Sequence, residues 1–340
     1  MPPRPVEIHG GGLAGLALGI ALRRHDVPVT LHEAGTYPRH RVCGEFITGL
    51  STATLEALEL KPFLADALLH HDARWFERNT AGRRQSLPAP ALAISRYELD
   101  DRLARRFVAA GGDLRRQSRI TGREDMPGCV DATGRRPSSR SPWLGLKFHA
   151  HGLDLDGGLE MHLGRQCYVG LTRVAADTVN VCGLFQRRSV SGQHAGLLPA
   201  YLASAGLTDL AARVARARPD PATFCAVAGL DFNPPDSSDR GLRLGDAAAM
   251  IPPFTGNGMA MALQSAECAL GPLTAYARGT TGWAATCTAV RAALRRRFQR
   301  RLVSASWLHP FLLQPRRQRW FTALHRARLL PFGPLYAALH

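Results

Sequence analysis

The spacing of apolar and polar positions changes period twice within residues 6–33, VEIHGGGLAGLALGIALRRHDVPVTLHE. A strand pattern over Val6–His9 meets three glycines, a helix pattern runs on to about His25, and a second strand pattern over Val27–His32 ends on Glu33. ARWFERNT (73–80) and QSLPAPALAIS (85–95) read as strands, and ISRYELDDRL (94–103) places an arginine at the head of an amphipathic helix. CVDATG (129–134) is a short strand ending in glycine. LGLKFHAHG, LEMHLG, QCYVGLTRV, TVNVCGLFQR and ATFCAVAG then give an antiparallel meander, interrupted by a helix near 194–218. In 242–267, LRLGDAAAMIPPFTGNGMAMALQSAE, a strand, a Pro-rich turn and a helix follow one another. Val290, Leu294, Phe298 and Leu302 form a helical stripe, after which Pro310, Pro315, Pro331 and Pro334 divide the rest into short pieces.

The organisation is interleaved. Segments 1–60, 95–137 and 239–275 build one α/β domain of Rossmann type. Segments 61–94 and 138–238 build a smaller, mostly antiparallel β domain, and 276–340 is a basic helical tail.

The glycines have mechanical reasons. Gly10 permits the tight turn, Gly12 lets the backbone approach a pyrophosphate, and Gly15 lets helix and strand pack closely. The phosphates would meet the backbone at Leu13 and Ala14, where free N–H groups and the helix dipole favour negative charge. Glu33 stands where an acid accepts hydrogen bonds from a ribose. The segment 242–267 supplies a second helix start beside a carboxylate, Asp246. That helix end suits the charge on a reduced flavin ring, so the dinucleotide reads as FAD.

The order G-x-G-x-x-G, Glu, Arg-x-x-Leu-Asp, Asp-Ala-Thr-Gly, Gly-Asp-Ala-Ala…Pro…Gly-x-Gly resembles the FAD-dependent monooxygenases of the p-hydroxybenzoate hydroxylase fold, shared by geranylgeranyl reductases and flavin-dependent halogenases. The resemblance covers about residues 5–275. It implies that Glu33 binds the adenosine ribose, Arg41 the pyrophosphate and Asp246 the ribityl chain. Arg96 would lie near the cofactor's centre, and Pro253, Gly256, Asn257, Gly258 and Met259 at the ring edge. Ala249 stands where the family often has histidine. The Arg41-Val42-Cys43-Gly44 run is similar to the reductases, but of their Tyr-x-Trp-x-Phe-Pro stretch only Tyr168 matches. A halogenase would need an active-site lysine with a Trp-x-Trp-x-Ile-Pro stretch. Lys61 lacks a supporting motif and the stretch is missing.

Composition changes the picture in two places. Seven cysteines without a C-x-x-C pair read as reduced thiols, with no metal site and no disulfide framework. The expected location is cytoplasmic, peripheral to the inner face of the membrane at most. The net charge of +16 is uneven: twelve arginines and no acid follow Glu267. That tail suits an anionic membrane surface or an acyl carrier protein; nucleic acid is disfavoured, because the fold offers no reading element.

The chemistry expected is that of an FAD-dependent monooxygenase. NAD(P)H serves as transient reductant and O2 hydroxylates or epoxidises a small organic substrate, lipid-like or carrier-tethered. Cys43, His149, His151 and Tyr168 are the catalytic candidates. His149 and His151 share a sheet face and serve as general base, bind an anionic substrate group or merely face solvent, while His70-His71 reads as loop surface. Two alternatives stand beside this reading. One is a geranylgeranyl-reductase-like enzyme acting on C=C bonds, and the other is a flavin-binding interaction protein without catalysis.

Overall fold

A computed structural model describes residues 2–77, 79–122, 125–233 and 241–340. The chain opens with Val6–His9 (β1), Leu13–Arg24 (α1), Val29–Glu33 (β2), Phe46–Ile47 (β3) and Thr52–Ala57 (α2). Leu68–Glu77 (β4), Thr80–Ala93 (β5), Arg96–Ala109 (α3), Asp113–Arg116 (β6) and Cys129–Asp131 (β7) follow. The meander is Trp143–His151 (β8), Leu159–Gly164 (β9), Cys167–Ala175 (β10) and Thr178–Gln186 (β11), then Leu197–Ser204 (α4), Thr208–Arg216 (α5) and Arg218–Ala228 (β12). Leu242–Arg243 (β13), Gly258–Ala277 (α6), Trp283–Leu313 (α7), Pro315–Arg326 (α8) and Phe332–Leu339 (α9) complete the chain.

Two sheets divide the work. The first is wholly parallel, in the order β13-β7-β1-β2-β6, with its strands drawn from residues 6 to 243. Its apolar positions, Val6, Ile8, Leu31 and Val130, pack against α1, α3 and α6 in one core. The second has the order β12-β8-β11-β10-β9-β4-β5-β3 and is antiparallel except where β4 meets β9. Period-two alternation splits β8 cleanly. Leu144, Leu146, Phe148 and Ala150 bury against α4 and α5, while Gly145, Lys147 and His149 face the parallel-sheet domain.

Three expectations change. The helix expected near 194–218 is two helices, α4 and α5. His70-His71, which read as exposed loop, lies within β4, where His70 Nε2 bonds the Arg173 carbonyl at 2.8 Å. Pro310 does not end a helix: α7 runs through it to Leu313. The expected boundary at 238/239 falls outside the described residues.

Candidate active site

The parallel sheet opens into a crevice at the carboxyl ends of β1, β2, β7 and β13, where open α/β sheets take their ligands. Gly10 turns there at φ +104°, and a Cβ on it would strike the Ala132 carbonyl; one on Gly15 would strike the carbonyl of Gly10. Gly12 caps α1 with open space where a Cβ would stand, no side-chain cap and no acid in the first turn. Leu13 and Ala14 bury their side chains, so this helix end offers only backbone N–H groups.

Glu33, 3% exposed, is fastened to that loop. Its Oε2 accepts from the Gly11 N–H at 3.0 Å; Oε1 accepts from the Gly35 N–H at 2.8 Å and Arg39 at 2.7 Å. Burial would push its carboxyl up, but Arg41, the Gly35 amide and Arg39 outweigh it and hold it low. Of these donors only Arg39 stands on a half-exposed side chain. Arg41 Nε donates to Asp100 at 3.0 Å, and Arg96 donates to the same carboxylate at 2.7 and 2.8 Å. The two arginines thus meet on one buried acid beside the glycines.

Asp246 stands between two helix starts, since a Cβ on its neighbour Gly245 would lie 3.2 Å from Ala14 of α1 and 3.8 Å from Ala262 of α6. No hydrogen bond from the described residues reaches its carboxylate. Burial pushes it up to about 6, against the pull of Arg96 and Arg135. Gly256, at φ +69°, and an open Gly258 lead into α6, behind an exposed Pro253. Two of the residues expected here have their side chains engaged elsewhere. The Asn257 side chain turns away from the crevice, accepting from Thr48 and donating to the Leu339 carbonyl. The Met259 side chain is core.

The sheet face over the crevice is graded from polar to apolar. Strand register aligns His149 with Asn180 and Thr172, then Lys147 with Cys182 and Gly170, then Gly145 with Leu184 and Tyr168. At the polar end Glu45, fully buried with its backbone at φ +53°, accepts from Arg96 N–H at 2.9 Å and meets His149 Nε2 at 2.6 Å and Lys147 Nζ at 3.4 Å. Burial would push Glu45 up, but His149 and Lys147 hold it below the usual carboxylate range. His40 lies 3.3 Å from Lys147, and burial with that neighbouring charge takes it down to about 4. Cys43 lies behind Arg96 with its thiol pushed up by burial, so it is no ready nucleophile.

At the apolar end Tyr168 OH meets His309 Nε2 of α7 at 3.2 Å. The imidazole sits among Trp143, Phe232 and Phe254, with ring centroids 6.0, 5.1 and 6.0 Å away, and burial alone lowers it to about 4. Phe254 follows Pro253 directly, so this chamber adjoins the α6 start.

Of the four catalytic candidates, His149 and Tyr168 face the crevice and Cys43 borders it. His151 does not: its Nδ1 bonds the Asp177 carbonyl at 3.2 Å at a hairpin end. Sequence reasoning missed Glu45, Lys147 and His309. Lys147 had a signal, being one of two lysines and set between the apolar Leu146 and Phe148. His309 had none, because 141 residues separate it from Tyr168. Among the described residues one group of possible metal donors gathers, Glu7, His9 and Cys129, where the sequence led us to expect no metal site; Glu7 and His9 already bond each other at 3.0 Å.

No protein-family profile matches the chain. Over 109 residues it is 32% identical to a menaquinone reductase of Mycolicibacterium smegmatis, a match spanning 31% of this chain and 26% of that protein. The structure of a geranylgeranyl bacteriochlorophyll reductase-like protein from Thermoplasma acidophilum superposes with a TM-score of 0.75 at 16% identity, covering 98% of this chain and 95% of the other. The flavin-dependent brominase Bmp2 superposes with a TM-score of 0.74 at 18% identity, over 98% and 92%. The chain therefore has the fold shared by FAD-dependent monooxygenases, flavin halogenases and geranylgeranyl reductases.

Proposed function

We propose that this chain is an FAD-dependent oxidoreductase acting on a neutral, largely apolar organic molecule. The observation that carries the reading is Asp246, a carboxylate that no hydrogen bond from the described residues reaches, set between the uncapped starts of α1 and α6. A sugar-alcohol chain would supply the missing donors, and a pyrophosphate would meet the α1 N–H groups across Gly12, so the donor set fits FAD. Arg41 and Arg96 would flank its centre, and the α6 start would face the ring.

Bound there, FAD supplies two-electron chemistry, with NAD(P)H as the reductant. The chain's own residues position and protect the substrate. The chamber of Trp143, Phe232, Phe254 and Leu184 excludes water, and no cation among the described residues bonds within it, which suits an uncharged guest. His309, kept neutral near pH 7, and Tyr168 share a hydrogen bond between Nε2 and the phenol oxygen, and burial keeps the phenol protonated, so the pair places no charge in the chamber. That pair would hold a substrate carbonyl or hydroxyl over the ring edge. The Glu45–Lys147–His149 group keeps the Cys43–Glu45 loop against Arg96.

Our first reading is monooxygenation, the insertion of one oxygen atom from O2. The second, reduction of a C=C bond, is favoured by the 32% identity to menaquinone reductases. Turnover with NAD(P)H and a panel of aromatic, quinone and isoprenoid compounds, with and without labelled O2, separates them. Oxygenation requires air and yields singly labelled product. Equal conversion under strict anaerobiosis establishes reduction, and a protein that binds no flavin overturns both.

A further inference from the structure

The tail stripe of Val290, Leu294 and Phe298 is buried on the parallel-sheet domain, with Arg297 bonded to Glu267 at 2.8 Å and Arg301 to Gln264 at 2.7 Å. Those residues are spent on packing. The opposite face of α7 and its continuation on α8 are not. Val303 is 64% exposed, Trp307 64% and Trp320 71%. Single exposed apolar residues are ordinary, but two indoles this exposed on one surface are not.

The patch is continuous. Trp307 lies 5.2 Å from Phe311, Arg317 stands 5.4 Å over the Phe311 ring, and Trp320 is one turn on from Arg317. Arg316, Arg319, Trp320 and Ala323 line an open groove of about 400 Å³. Among the described residues no ion pair engages Arg300, Arg316, Arg317 or Arg319, and the tail has no acid of its own to neutralise them.

We propose that this α7–α8 face seats the protein on an anionic lipid surface. Indoles prefer the headgroup level, where the ring is half dry and its N–H is wet, and guanidinium groups bind lipid phosphates beside them. Exposed indoles interleaved with four arginines that no ion pair among the described residues engages match that interface, where the rings bury and the cations meet phosphates. No helix among the described residues is long and apolar enough to cross a membrane, so the contact is one of lying on the surface. The seat is independent of the reaction assigned to the crevice.

The test uses the full chain with vesicles of phosphatidylcholine alone or mixed equally with phosphatidylglycerol. Wild type should sediment with the mixed vesicles at low salt, release at high salt and ignore the neutral ones. Brominated acyl chains should quench its tryptophan fluorescence. Trp307→Ser with Trp320→Ser, and separately Arg316→Glu with Arg319→Glu, should each weaken partition about tenfold or more, since each arginine near such a surface contributes about fivefold. Melting temperature should stay within a degree or two, because the four side chains project outward. The proposal fails if wild type ignores mixed vesicles, if both variants partition like wild type, or if the same face instead binds an acidic carrier protein while vesicles are ignored.

Discussion

At Asp246 the burial on which the proposed cofactor site rests also sets a pH dependence. Its folded-state value of about 6 lies above its ordinary 3.8, so its contribution to stability is fully present below 3.8 and is lost as pH rises to 6. Flavin-free Asp246→Asn should therefore lose less melting temperature between pH 4 and pH 6.5 than wild type does. Asp246→Ala and Glu33→Ala should each weaken FAD binding by about fivefold or more, the worth of a hydrogen bond of ~1 kcal/mol, read by fluorescence titration. At the polar end, Lys147→Met leaves the fully buried Glu45 carboxylate short of its cation and should cost about 3–5 kcal/mol in denaturant unfolding. Adding Glu45→Gln should recover part of that loss. Glycines and acids were legible because each answers to a local constraint: a turn, a helix start, a strand end. The Tyr168–His309 pair was not, because register and helix packing, which no window of sequence contains, bring the two together.

At the scale of elements, α7 has two surfaces with different duties. Phe298→Ala on its inner side should destabilise the protein by about 3–5 kcal/mol, whereas Val303→Ser on its outer side should change stability by less than about 0.5 kcal/mol. A large loss from Val303→Ser in thermal unfolding would mean the outer side is covered in solution. Strand and helix identities were largely readable, since β8 and β11 alternate in period two and α1 is an unbroken apolar run from Leu13 to Leu22. In the tail, proline spacing is a poor guide to where helices end. Pro310 sits in the last turn of α7, where the helix ends soon after at Leu313 and Gln314 takes an extended backbone (ψ 122°). One turn of α7 also joins the two proposed sites: Trp307 faces outward while His309, two residues on, turns into the aromatic chamber.

The whole molecule should be acid-sensitive in a defined window. His40 and His309 both titrate near 4 when folded and near 6.5 when unfolded. Their folded values are depressed, so the stability they contribute is present above 6.5 and lost as pH falls towards 4. His309→Phe should flatten that limb of the melting curve; an unchanged slope would place the histidine's environment in error. The interleaving of the two sheets was legible from the order of motifs, since the glycine turn and the Gly245-Asp246 turn belong to one crevice yet stand more than 200 residues apart.

That separation sets a timetable for synthesis. β7 leaves the ribosome with one side paired to β1 and the other side bare until β13 arrives, 111 residues after Asp131. At translation rates of ~5–20 residues per second the bare edge persists for roughly 5–20 s, long enough for an unpaired strand to recruit a stray partner. Asp246 and α6 emerge in the same late interval. Nascent chains arrested before Leu242 should therefore capture chaperone and no flavin, while chains extended past α6 should capture flavin and shed chaperone.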